Sequence, residues 1–291
     1  MIAPAQAFFM PAADCADRAA QADQRFCVFH PGEGTELRGC VVYIHPFAEE
    51  MNKARRMAAL QSRALAAAGF SVLQMDLQGC GDSTGDFGDA SWQGWIDDVV
   101  RAVNWLRSRD AAHSAAPLWL WGMRSGCLLA AQAAAKLDGP CNFCFWQPSI
   151  NGQTLLQQFL RLRLASGLFG GTGSEMMGEL RASLEQGRSV EVAGYTVSSA
   201  LAQGLEQARL SPPAKPPDGK TRLEWFELST RPDAQASPVS LQALAQWTAA
   251  GLTVRHRIVQ GPSFWQTVEI EEAPALLEQT LSAFQGLEIP A

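Results

Sequence analysis

The sequence predicts an α/β fold, a mostly parallel sheet with helices on both faces, and three observations carry that reading. Short strand-like runs recur at residues 39–44, 70–76, 118–121, 143–146, 223–228 and 252–259, several of them almost wholly apolar. Runs without polar alternation are covered on both faces, as parallel strands are. Between them lie longer segments with apolar residues at helical spacing, and regular β-then-α alternation implies right-handed crossovers. The third observation is length: 291 residues at 47% hydrophobic suit one large domain with an insertion better than two independent domains.

Each element follows in order. Residues 7–10 and 25–29 read as antiparallel opening strands, and the buried run 39–44 leads into His45-Pro46-Phe47. A helix with Met57, Leu60, Leu65 and Ala68 on its apolar positions follows. After the strand at 70–76 comes the loop Gly79-Cys80-Gly81-Asp82-Ser83, whose Asp82 and Ser83 are turn residues, then a helix over 92–107 carrying Trp95, Val99, Val103 and Leu106. Strand 118–121, a glycine-flanked turn at 122–126 and a helix over 127–137 repeat the unit. The strand at 143–146 closes at Gln147-Pro148. Residues 149–217 then change character, with amphipathic helical stretches (Leu155, Phe159, Leu162), a glycine-rich piece at 167–173 and a proline-rich exit from Pro212 to Pro217. This is the pattern of a helical cap inserted over the strand ends, so the expected division is a core of residues 1–148 and 218–291 with a cap at 149–217. Helices through Leu241 and Trp247, and through Leu276, Leu281 and Phe284, complete the core.

Charge and cysteine usage exclude several classes of function. A net charge of −6 without a lysine or arginine stripe gives no footprint for nucleic acid. Seven cysteines, at 15, 27, 40, 80, 127, 141 and 144, are an odd number, and several sit in apolar runs, so reduced core thiols of a cytoplasmic protein are expected. Cys141 and Cys144 have C-x-x-C spacing but sit in a strand with no second pair, which argues against a metal. No cofactor motif and no membrane-length apolar run occurs, and the first residues do not read as a secretion signal. The expected partner is a small molecule, and a homodimer stays open.

The chemistry concentrates in Trp121-Gly122-Met123-Arg124-Ser125-Gly126-Cys127. This is the Gly-x-nucleophile-x-Gly frame of a hydrolase elbow, a strained strand-to-helix turn that needs small residues two before and two after its centre. Gly122 and Gly126 fit if Arg124 is central; a turn centred on Ser125 would be flanked by Met123 and Cys127. A guanidinium stays protonated and has no lone pair with which to attack a carbonyl.

These residues together resemble the α/β-hydrolase superfamily across nearly the whole chain. His45-Pro46-Phe47 stands in place of its oxyanion loop, Asp76-x-x-Gly79-x-Gly81-x-Ser83 matches its segment of that form, and Gly122 to Gly126 matches its elbow. More narrowly, residues 45–53, Trp121 to Arg124 and Glu271-Glu272-Ala273-Pro274 resemble the exosortase A system-associated hydrolase 2 family, found beside bacterial exosortase and exopolysaccharide genes. The α/β-hydrolase fold and hydrolytic activity are what the resemblance implies. A triad needs a nucleophile, an imidazole base and an orienting carboxylate. The elbow offers Arg124, and the base loop at 261–267 has no histidine. His256 reads as a core residue, His30 and His113 as surface residues, and His45 as the holder of a structural hydrogen bond. Asp233 stands near the expected acid position, where a turn explains it equally. The catalytic candidates are therefore Arg124, Ser125 and Asp233. Backbone N–H groups of Phe47 and Ser125 would form an oxyanion hole. Glu49 or Glu50 would neutralise Arg124, and Trp146, Gln147, Phe264 and Trp265 would wall the pocket with apolar or sugar-stacking surface. Three functions follow as expectations: a hydrolase-like protein with a degenerate triad, a binder of an anionic, acyl or sugar ligand or of a partner protein, and an esterase using Ser125 or Cys127 through a shifted elbow.

Overall fold

Buried, β-rich runs become the strands of one eight-stranded sheet in the computed structural model, which describes residues 4–11, 23–165, 173–214 and 221–287. Cys15, the glycine-rich piece at 167–172 and Pro216-Pro217 of the exit lie outside the described residues. The opening strands are β1 (Gln6–Pro11) and β2 (Gln24–His30), paired antiparallel as their alternation predicts. The other six strands, β3 (Gly39–Ile44), β4 (Phe70–Met75), β5 (Leu118–Met123), β6 (Asn142–Trp146), β9 (Arg222–Ser229) and β10 (Thr253–Gln260), run parallel, in the sheet order β1-β2-β4-β3-β5-β6-β9-β10. All residues of β3 and β5 are buried, which is why neither shows polar alternation.

Helices cover both faces. On one, α2 (Trp92–Arg107), α4 (Ser125–Ala134) and α8 (Pro238–Ala249) bury Trp95, Leu128 and Trp247. On the other, α1 (Glu49–Ala67) and α9 (Pro274–Gln285) bury Met57, Leu65 and Phe284. Helix α2 keeps the predicted bounds because Ser91 caps it, its side chain accepting from the Gly94 N–H. A short helix, α3 (Ala111–Ala115), follows it where the sequence reads as a polar loop.

Between β6 and β9 lie α5 (Gly152–Ala165), α6 (Gly173–Glu185), a hairpin of β7 (Val190–Val192) and β8 (Tyr195–Val197), and α7 (Ser199–Gln207). The hairpin departs from the all-helical expectation. Its cause is the two-residue turn Ala193-Gly194, in which both residues have positive φ, 50° and 83°, between alternating apolar residues.

Candidate functional site

The turn between β5 and α4 is tightly constrained. Arg124 sits at its apex with φ 54° and ψ −115°, and α4 begins at the next residue, Ser125. The flanking glycines are sterically required: a Cβ on Gly122 would stand 2.7 Å from the Cys127 backbone, and one on Gly126 would stand 2.1 Å from the Ile44 carbonyl oxygen. The second clash also shows how closely the start of α4 packs against the exit of β3. Arg124 is pinned on both sides, its N–H donating to Trp146 O at 3.0 Å and its carbonyl accepting from Cys127 and Ser149 N–H at 3.2 and 3.1 Å. A strained backbone persists where its surroundings over-determine it, as they do here.

The guanidinium turns back to the first turn of α1. Its Nε lies 3.2 and 3.3 Å from Glu50 Oε1 and Oε2, its Nη2 lies 3.2 Å from Oε1, and its plane passes over the Trp265 ring at 5.6 Å. Both partners are largely enclosed, with side chains 14% and 11% exposed. Burial pushes the Glu50 carboxyl above the usual glutamate value, and Arg124 opposes that shift. Glu49, beside it, leaves Oε2 sealed from water with no hydrogen-bond partner.

A cavity of about 500 Å³ opens on this pair. Phe47, Glu49, Glu50 and Lys53 line it from the start of α1, Leu155, Gln158, Phe159 and Leu162 from α5, and Trp265 and Gln266 from the segment after β10. The elbow contributes Arg124. Strand C-terminal ends are where open α/β sheets bind ligands. The backbone N–H groups of Phe47 and Ser125 donate no hydrogen bond among the described residues.

Other sequence candidates go elsewhere. Ser125 is 1% exposed and does not line the cavity. Asp233 lies in an exposed turn after β9, away from the cavity lining. Trp146 points into the α9 side, where its Nε1 donates to Thr280 Oγ1 at 2.9 Å, and Phe264 packs edge-on against it. Gln147 is also not at the cavity: its Oε1 accepts from the Leu228 N–H at 2.7 Å. Of the proposed aromatic wall, Trp265 alone is at the cavity.

The imidazoles are also distributed differently from the sequence expectation. His45 does hold structural hydrogen bonds, donating from Nδ1 to Pro46 O at 2.8 Å and accepting at Nε2 from the Leu77 N–H at 3.2 Å. Both nitrogens are thereby committed, and burial holds its pKa below the usual value. His30 is not a surface residue but 6% exposed, hydrogen-bonded to Gln74. His113 is half-buried between Ser71 and Asp110. His256 is half-buried rather than core, because β10 is an edge strand, and its Nε2 lies 3.9 Å from Glu227.

Comparison with known proteins gives the same architecture. Residues 35–168 match the family model described as serine aminopeptidase, S33. Over 121 residues the chain is 28% identical to human Protein ABHD12B, a stretch covering 42% of this chain and 31% of that one. Solved structures align over nearly the full length. Est1E from Butyrivibrio proteoclasticus, with bound ferulic acid, has a TM-score of 0.59 at 14% identity, covering 91% of this chain and 94% of that one. A carboxyl esterase from Bacillus coagulans, in complex with glycerol, has a TM-score of 0.59 at 14% identity, covering 97% and 98%. The chain has the α/β-hydrolase fold.

As an α/β-hydrolase-fold chain, it puts Arg124 at the elbow and Glu50 opposite it. Sequence reasoning missed Lys53, Gln158 and Gln266 at the cavity. The apolar face of α5 was legible, but which of its residues would face the cavity required the packing of α5 beside α4.

Proposed function

We propose that this chain uses an α/β-hydrolase scaffold without a serine mechanism, and that its Arg124 cavity binds a small molecule carrying an acyl or sugar group. The observation that carries this reading is the Arg124–Glu50 pair at the elbow apex. A protonated guanidinium cannot attack, and no histidine lines the cavity. Ser125 would need a base, and His45 has both ring nitrogens engaged. What supports binding is the remaining chemistry. The Phe47 N–H suits a carbonyl or carboxylate oxygen, the unpartnered Glu49 Oε2 suits a hydroxyl or amide donor, and Phe47, Leu155, Phe159 and Trp265 suit an apolar arm.

Glu50 already neutralises Arg124, so the elbow supplies less positive charge than an unpaired arginine would, which favours a neutral acyl or sugar ligand over a strongly anionic one. A setting in exosortase-linked exopolysaccharide biogenesis belongs to the same proposal, on the resemblance of residues 45–53 and 121–124. Titration calorimetry with p-nitrophenyl butyrate tests it. Saturable binding without release of nitrophenol, lost in Gln158→Trp, which fills the cavity from an exposed position, is the expected result. Rapid release of nitrophenol, or binding untouched by Gln158→Trp, would refute it.

A further inference from the structure

A second cavity, of about 610 Å³, lies at the opposite end of the sheet, and the proposed function leaves it without a role. It opens where the strands begin: Arg38 precedes β3, Phe70 starts β4, Leu118 starts β5, Asn142 starts β6 and Arg222 starts β9. Three arginines, Arg38, Arg107 and Arg222, line it against one carboxylate residue, the exposed Asp138. None of the three meets a carboxylate within ion-pair distance among the described residues, whereas Arg25, Arg55, Arg101, Arg124 and Arg257 all do. Arg38 and Arg222 instead lie over the rings of Phe70 and Trp119, at 5.4 and 4.8 Å, so their charge is held in place without being neutralised.

Two buried polar atoms of the lining have no partner. Thr221, 5% exposed, leaves Oγ1 unbonded, and Arg107 leaves Nε unbonded although its Nη1 donates to Asp138 O at 2.7 Å. The Asp138 contact is what a cation near the C-terminal ends of α2 and α4 should make, since helix carbonyls are exposed there. That explanation covers one nitrogen of Arg107. It does not cover the free Nε, the free Thr221 hydroxyl or the two unpaired guanidiniums. Buried polar groups are normally satisfied, and the group that would satisfy a hydroxyl and three guanidiniums together is an oxyanion with several acceptor oxygens.

We propose that this cavity is an anion site for a small molecule bearing a phosphate group, held by Arg38, Arg107 and Arg222 with Thr221 as the neutral donor. Guanidinium forks match the geometry of phosphate oxygens, and a phosphate group offers enough acceptors for all four side chains. The site is separate from the Arg124 cavity, so its occupancy and the proposed function stand or fall independently.

The test is titration of the protein with inorganic phosphate, followed by calorimetry and by the arginine Nε–H resonances, with sodium chloride at equal ionic strength as the control. Saturable binding is expected, with a shift of the Arg107 Nε–H signal. Arg107→Gln and Arg222→Gln should each weaken it by about tenfold or more, the loss of a charge-assisted contact. Arg124→Gln, in the other cavity, should leave it unchanged. Circular dichroism checks that each variant folds. Should either buried-side variant fail to fold, the exposed Arg38→Gln must still weaken binding. The proposal is overturned if phosphate acts no differently from chloride, or if Arg124→Gln abolishes binding while the other variants retain it.

Discussion

The Arg124 guanidinium meets the Glu50 carboxylate through both Nε and Nη2, at 3.2 to 3.3 Å, across 74 positions of sequence. The contact joins the elbow after β5 to the first turn of α1, and it does so with a residue whose φ is positive, 54°. A cation beside a helix start opposes the helix dipole, while an acid in the first turn of α1 suits its own, so the pair compensates one with the other.

Removing one partner strands the other. Arg124→Ala should lower stability by about 1–3 kcal/mol, below the loss for a fully sealed pair because both side chains keep some contact with water. Arg124→Lys should recover only part, since an ammonium lacks the two-nitrogen fork. Chemical denaturation of the three proteins measures this, and three superimposable curves would contradict it.

The same pair should show strong coupling. Glu50→Met and Arg124→Met are each expected to destabilise, while the double variant lies closer to wild type than the sum of the two, because the second change removes the charge that the first left unpaired. Additive losses in the double-mutant cycle would mean that the contact is energetically idle.

Acidification through the histidine range should weaken the fold. Burial holds His30 and His45 below the ordinary histidine value of 6.5, so the unfolded chain takes up protons that the folded chain refuses. The stability these groups contribute is present above that value and is lost as pH falls through it. Glu50 acts in the opposite sense, since its folded carboxyl, raised by burial, takes a proton before the unfolded one. Denaturation midpoints should fall from about pH 7.5 to about pH 5.5, and less steeply in His45→Asn. An unchanged midpoint over that range would contradict the assignment.

Neither neighbouring nucleophile should react. Ser125 is buried without a base, and burial pushes the Cys127 thiol well above the usual cysteine value. Mass spectrometry after exposure to a fluorophosphonate or iodoacetamide should find both residues unmodified. A stoichiometric adduct at Ser125 would place the nucleophile one residue past the observed apex.

Much of this architecture was legible because it depends on local pattern. The unbroken burial of residues 39–44 and 118–123 and the paired glycines at 122 and 126 each state their structure in a few adjacent residues. The hairpin at 190–197 was equally local, since Val190, Val192, Tyr195 and Val197 alternate around Ala193-Gly194, but it was hidden inside a helical stretch. The rest depended on distant packing. Trp146 and Trp265 look alike in sequence, yet one hydrogen-bonds Thr280 beneath α9 and the other faces Arg124. Glu49 and Glu50 are adjacent, and the direction in which α1 starts after Ala48, not the local sequence, sets which of them faces the guanidinium.

The central claim is that an arginine at the elbow apex removes serine hydrolysis, and hydrolysis of short-chain nitrophenyl esters tests it most directly. Wild type should release nitrophenol no faster than equally purified Arg124→Ala. Saturable turnover well above buffer in wild type, abolished in Arg124→Ala, would contradict it.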